Sequence, residues 1–145
     1  MIISLTMDNL IVNYHPKYLK QLKVFIKKLG VSAKTFRYFK SRDIQESLNN
    51  HKKTLLLINK EEIIGYAHLD KDPEDLKLWL GICINENFCG QGLGKILMNS
   101  LLEDQNEDIY LSVDSINTRG IKLYQKYGFQ TTKSSPSVTY MKKNV

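Results

Sequence analysis

Cysteine is scarce in this chain: Cys83 and Cys89 are the two in 145 residues. Two are too few for a disulfide framework. They flank a predicted turn and read as reduced thiols of a cytoplasmic protein. Histidine is nearly as scarce. His15, His51 and His68 are scattered without metal-ligand spacing, so no metal is expected. Long apolar runs are missing. Runs such as Thr54–Ile58 are far too short to span a bilayer. Met1-Ile2-Ile3-Ser4 lacks a basic segment and a cleavage site, so no signal peptide is read. Helix-turn-helix, zinc-finger and RNP-type motifs are missing as well, which leaves nucleic acid unsupported as a partner. No repeats, low-complexity segments or linkers occur.

What is present fits one α/β domain over residues 1–145 with a core of its own. Hydrophobic residues make up 42% and charged residues 25%, the ordinary balance of a globular protein. Lys and Arg number 21 against 15 Asp and Glu, a net charge of +6. That excess suits a polyanionic cofactor or substrate, and equally a solvated lysine-rich surface.

Two apolar clusters, at Ile2–Leu5 and Leu10–Val12, supply at least one opening strand. His15-Pro16 reads as a helix entrance. Tyr18, Leu19, Leu22, Phe25, Ile26 and Leu29 then follow with helical spacing, and Gly30 ends the helix. Asp43-x-x-Glu46 looks like a capping box for a short helix through Leu48. Strands are predicted over 54–58, 63–69 and 76–84, joined by turns into an antiparallel meander. A helix running to about Asp104 leads to a strand at Ile109–Val113, which returns by a crossover and so lies parallel to 76–84. Asn117 opens a further helix that Gly128 closes. Two strands, Phe129–Thr132 and Ser137–Lys142, end the chain.

The most informative stretch runs from Leu76 to Lys95. It reads as an apolar strand, a turn, a loop with Gly90, Gly92 and Gly94, and a helix start. Such a helix start offers unpaired N–H groups and a partial positive charge, and glycines let a ligand approach them. The reading is an anion cradle for a phosphate or pyrophosphate. It is not a Walker A loop, because Cys89 and Ile96 stand where Gly and Ser or Thr are needed. It is not a dinucleotide fingerprint either, because Lys95 and Leu97 stand where the third Gly is needed.

Cys89-Gly90-Gln91-Gly92-Leu93-Gly94 in this setting resembles the pyrophosphate loop of the GNAT superfamily of acyl-CoA-dependent N-acetyltransferases, Arg/Gln-x-x-Gly-x-Gly/Ala. Cys89 departs from that pattern. Asn117-Thr118-Arg119-Gly120-Ile121-Lys122-Leu123-Tyr124 through Gly128-Phe129 resembles a second family pattern, Asn-x-x-Ala-x-x-Leu-Tyr-x-x-x-Gly-Phe. Gly120 departs from its Ala, at a cost of about 1 kcal/mol in a helix interior, and is expected to be tolerated because the cofactor passes close by. The order of elements resembles the GNAT fold over nearly the whole chain: a central mixed, mostly antiparallel sheet flanked by helices.

The resemblance implies acetyl-CoA as co-substrate. It implies that Ile82, Cys83 and Ile84 present backbone to the pantetheine, that Cys89, Gly90, Gln91, Gly92, Leu93, Gly94 and Lys95 hold the pyrophosphate, and that Asn117 touches the pantetheine arm. It further implies that the Tyr124 hydroxyl protonates the departing thiolate. Asn117 is also a good N-cap, and Tyr124 also reads as a core tyrosine. Ile82 and Ile84 read as core side chains. For the general base, His68 has a suitable pKa and shares a strand face with Asp70; a structural histidine and a water relay are the alternatives. Phe36, Arg37, Tyr38 and Trp79 are expected at the acceptor, Arg37 as a fork for a phosphate or carboxylate. The expected reaction is acetyl transfer to a primary amine of a small molecule by a monomer or homodimer. Phe36-Arg37-Tyr38-Phe39, Gly65-Tyr66-Ala67-His68-Leu69-Asp70 and Trp79-Leu80-Gly81-Ile82 together resemble members associated with surface-polysaccharide synthesis, which acetylate amino-sugar precursors. The alternatives are acetylation of a protein N-terminus or lysine, and a non-catalytic CoA-binding module.

Overall fold

The computed structural model describes residues 2–4, 9–29 and 36–145, with side chains from residue 9 onward within these ranges. The helix end expected at Gly30 lies outside the described residues. Eight strands form one sheet: β1 (Ile2–Ser4), β2 (Asn9–Asn13), β3 (His51–Asn59), β4 (Glu62–Lys71), β5 (Leu78–Ile84), β6 (Ile109–Asp114), β7 (Gln130–Ser134) and β8 (Val138–Lys143). Their spatial order is β1-β2-β3-β4-β5-β6-β8-β7. All pairings are antiparallel except β5 with β6. Among the described residues four α-helices accompany them: α1 (Leu19–Lys27), α2 (Ile44–Asn49), α3 (Leu93–Leu102) and α4 (Thr118–Lys126). The expected meander, the parallel return and the two closing strands are all present.

Hydrophobic patterning sorts the helices onto the two faces of the sheet. Leu22 and Phe25 of α1 are buried with Leu56, Ile63 and Tyr66 on one face. Leu93, Leu97, Met98 and Leu101 of α3, with Tyr124 of α4, are buried with Leu55, Leu57, Leu69 and Leu78 on the other. Central β4 is covered on both sides, which is why it reads as a nearly unbroken apolar run. Local signals act as expected at three helix starts. His15 accepts from Lys17 N–H ahead of a single 3-10 turn, Pro16–Tyr18. Asp43 caps α2 through Glu46 N–H, and Asn117 caps α4 through Gly120 N–H.

The sheet is nearly two sheets. β5 and β6 share only the pairs Leu78–Ile109 and Trp79–Tyr110, and then separate. The far end of each strand is tied to its own half. Asn85, directly after β5, donates from its backbone N–H to Ile64 O at 2.8 Å. Its side chain donates to Lys28 O at 3.2 Å and accepts from Asn87 N–H at 2.9 Å. Ser115, directly after β6, donates from its N–H to Ser137 O, and its hydroxyl meets Thr139 Oγ1 at 2.8 Å. One half is therefore β1 to β5 and the other β6, β8 and β7. Ile82 and Ile84, expected in the core, pack against it but are only half-buried, because β4 pairs with them on one side and β6 does not on the other.

Asn85 is buried and uses both ends of its amide. Asn85→Ala removes both contacts and leaves the Lys28 carbonyl without this donor. The expected loss is about 1–3 kcal/mol of folding stability, read by urea denaturation. An unchanged midpoint would show that the amide does not hold β5 to its half.

Candidate functional site

The gap between β5 and β6 opens into a cleft of about 1270 Å³. It reaches both sheet faces, since its walls include Leu93 and Tyr124 from one core and Phe36, Tyr38 and Cys83 from the other side. Every residue expected at the site lines this cleft except Gln91, which is exposed outside it.

At one end stands the glycine loop. α3 begins at Leu93, one residue before the last of the three glycines, with Gly92 as its N-cap. Gly90 and Gly92 have φ of 82° and 78°, a left-handed backbone that other residues rarely adopt. No side chain caps α3. A Cβ added to Gly92 would meet nothing within 4 Å, so the approach to the helix end is open. Cations from α3 and α4 line the same cleft, namely Lys95, Arg119, Lys122 and Lys126, and Arg119 reaches within 4.0 Å of a Cβ placed at Gly90. The Lys95 ammonium lies close enough to push the Lys126 pKa down. Such a cluster of like charges fits a polyanion. The open N–H groups and these cations together fit the pyrophosphate of CoA. Cys89, which departs from the family pattern, directs Sγ at Asn85 O and Ile84 O, at 3.6 and 3.7 Å.

Tyr124 is buried, and burial raises its hydroxyl pKa. The hydroxyl has no hydrogen-bond partner among the described residues. Gly120 has a steric cause within its own helix. A Cβ there would stand 2.7 Å from Asn117 Nδ2, so the glycine makes room for the Asn117 cap, and it lines the cleft as well.

On the opposite face, aromatic rings pack around two histidines. Tyr38 donates to Asp70 Oδ2 at 2.7 Å and lies 2.8 Å from His51 Nε2, while His51 Nδ1 meets Thr54 Oγ1 at 2.9 Å. Burial depresses the His51 pKa to about 4. Arg42 stacks on the Tyr38 ring and lies 3.9 Å from Asp70. His68 is 2% exposed, and its Nδ1 lies 2.6 Å from the Tyr66 hydroxyl. Burial pushes the His68 pKa well down, with His51 and Arg42 adding to the effect. Trp79 lies on the same wall, its indole N–H 3.4 Å from Asp75.

Arg37 does not offer the open fork expected for an acceptor anion. Its two terminal nitrogens meet the two carboxylate oxygens of Asp114 at 3.1 and 2.8 Å. Sequence reasoning missed Asp114, Arg119, Lys122 and Lys126, which gain meaning only when β6 and α4 face the glycine loop. It also missed Asp72 and Glu74, which read as turn residues but line the cleft beside Asp70. No group of three potential metal ligands occurs among the described residues. Nor is any of their helices long and apolar enough to cross a membrane.

A model of the acetyltransferase (GNAT) family matches residues 19–129. Among curated proteins, the spermine/spermidine N(1)-acetyltransferase of Bacillus subtilis strain 168 is 33% identical over 81 residues, covering 48% of this chain and 53% of that protein. The chain thus matches about half the length of the curated relatives. Among solved structures, a GNAT-family acetyltransferase from Streptococcus pneumoniae superposes with a TM-score of 0.77 at 23% identity, over 95% of this chain and 99% of that one. A ribosomal L7/L12 α-N-protein acetyltransferase in complex with coenzyme A superposes with a TM-score of 0.72 at 11% identity, over 100% of this chain and 98% of the other. At these identities the structures speak to the fold alone.

The Arg37–Asp114 pair has a measurable signature. Arg37 holds the Asp114 carboxyl below its ordinary pKa. A carboxyl depressed in the folded state stabilises above its unfolded pKa, and that contribution is lost as pH falls through the folded value. Arg37 is half exposed, so solvent limits the effect to below about 1 kcal/mol. Arg37→Ala is expected to return Asp114 towards its ordinary titration, followed by carboxyl-carbon NMR. An unmoved titration would mean the pair does not form in solution.

Proposed function

The chain belongs to the acetyltransferase (GNAT) family, and from that premise we propose that it transfers an acetyl group from acetyl-CoA to a primary amine of a small molecule. The observation that carries this reading is the cleft. It joins an anion cradle on one sheet face to an aromatic, carboxylate-bearing pocket on the other, through the parting of β5 and β6.

Leu93–Lys95 N–H groups and the surrounding cations hold the pyrophosphate. The β5 backbone beyond Trp79, free of β6, pairs with the pantetheine amides. The amine nitrogen attacks the thioester carbonyl, the C–N bond forms and the C–S bond breaks. Tyr124 gives its proton to the leaving sulfur, a general-acid role. A thiol of pKa roughly 8.5 leaves with modest help. The amine's surplus proton passes through water to solvent.

The acceptor suggested by sub-family resemblance was an amino sugar, with Arg37 gripping its anionic part. Closure of Arg37 on Asp114 removes the support for that grip. The pocket instead presents Asp70, Asp72 and Glu74, with Arg42 as the cationic neighbour of Asp70. Carboxylates at the acceptor end favour an amine that carries a second positive charge. The spermine/spermidine relatives in Bacillus subtilis point the same way, over the half of their length that matches. A panel of amines with acetyl-CoA, read by thiol release and product mass, tests this. Diamines and polyamines are expected to react best, with rates falling as salt rises. A phosphorylated amino sugar as best acceptor would overturn the choice.

Two variants test the machinery. Gly92→Val forces a branched side chain into φ of 78°, a strain of about 1–2 kcal/mol, and fills the open approach to α3. Loss of CoA binding in calorimetry with a largely retained thermal transition is expected; unchanged affinity would exclude the loop as the cradle. Tyr124→Phe is expected to lower turnover about 10- to 1000-fold, with CoA affinity little altered. Full activity would make the hydroxyl structural.

A further inference from the structure

Tyr66 and His68 form a pair that the mechanism so far leaves unused. Tyr66 is fully buried, and its hydroxyl meets His68 Nδ1 at 2.6 Å. No other partner reaches that hydroxyl among the described residues. A phenol has one proton to place, and a buried donor left unpaired costs about 1–3 kcal/mol. Tyr66 therefore donates, and Nδ1 accepts. A neutral imidazole that accepts at Nδ1 carries its own proton on Nε2.

The other end of the ring is equally constrained. It lies against Gly81, where an added Cβ would stand 2.6 Å from both Cε1 and Nε2. The glycine lets the ring tip reach the β5 backbone at the first residues beyond its last pair with β6. Nε2 has no protein partner among the described residues, although the side chain is almost wholly buried and lines the cleft. Nε2 is not among the fully buried atoms left without a partner, so it opens onto the cleft, where a preorganised donor suits a ligand acceptor.

We propose that His68 is a fixed hydrogen-bond donor rather than a base, with Tyr66 setting its tautomer and Nε2–H donating to the acyl carbonyl oxygen as negative charge develops there. The inference rests on the acetyl-transfer reading of the cleft. When the amine nitrogen bonds to the carbonyl carbon, the carbonyl π pair moves onto oxygen. His68 stabilises that charge without giving up its proton, and the charge returns as the C–S bond breaks.

The surroundings suit a neutral ring. His51 from β3 lies 4.5 Å away between ring centroids, Tyr38 lies at 4.2 Å, and Arg42 sits over Tyr38. Cys83 of β5, two residues beyond Gly81, is held protonated by burial, its pKa pushed up to about 12. Asp70, the nearby carboxylate, receives the Tyr38 hydroxyl. No carboxylate bonds to His68 among the described residues, so nothing stabilises an imidazolium. Tyr66 is a positioning residue that acts through the ring.

The test begins with the ligand-free full chain labelled with nitrogen-15 histidine. Nitrogen–proton correlation NMR reads the tautomer directly. A neutral His68 protonated on Nε2 across neutral pH is expected; a proton on Nδ1, or titration near neutrality, overturns the inference. Tyr66→Phe should give a mixed tautomer and a lower kcat with the acetyl-CoA KM unchanged. His68→Ala should lose roughly 100- to 1000-fold in kcat, the range for removing one such donor. His68→Gln keeps an N–H donor but no basic nitrogen, and should retain at least tenfold more turnover than the Ala variant. Equal loss in both overturns the donor role. The wrong tautomer alongside intact acetyl transfer defeats this inference alone, whereas no transfer to any amine defeats the enzymatic reading beneath it.

Discussion

The parting of β5 from β6 after two residue pairs is the constraint on which the rest depends. A sheet interior normally pairs its backbone groups, and leaving them unpaired away from water is costly. Here the separation is held open from both sides. Asn85 ties β5 to β4 and to the end of α1, while Ser115 ties β6 to β8. The freed backbone of β5 becomes an edge inside the protein rather than at its rim. An edge of this kind invites an extended ligand with amides of its own, as a peptide strand would. The cleft, the glycine loop at the strand's exit and the aromatic pocket behind it all follow from that opening.

The two faces of the opening have opposite character. On the α3 and α4 side, an uncapped helix start and four cations await a polyanion. On the α1 and α2 side, a directed hydrogen-bond chain from Thr54 through His51 and Tyr38 ends on Asp70. Histidines that accept or donate in fixed senses make that wall a set of oriented dipoles. Charge segregation of this sort steers an anionic donor to one side and a cationic amine to the other. Arg37 and Asp114 bridge two segments of the cleft wall that lie 77 residues apart in sequence.

Much of this was legible in the letters. The alternating glycines, the helix-start signals at Asp43 and Asn117, and the apolar periodicity of α1 and α3 are local, and local chemistry decides them. The parallel return of β6 followed from the length of the crossover. What escaped were pairings across long sequence distances. Nothing near Arg37 announces Asp114. Tyr66 reads as one more aromatic of a buried strand until its hydroxyl is seen against His68. Gly120 gives no sign in the sequence that the Asn117 cap three residues earlier needs its space. Ile82 and Ile84 read as core because periodicity reports a strand's own pattern, not the absence of its neighbour.

The central claim is that the β5 edge and the glycine loop form one docking track for CoA. Amide hydrogen exchange with and without CoA tests it residue by residue. The account predicts new protection concentrated at Leu80–Ile84 and Gly90–Lys95, with β1, β2 and β7 unchanged. Protection spread evenly over the sheet, or confined to residues outside these two segments, would contradict it.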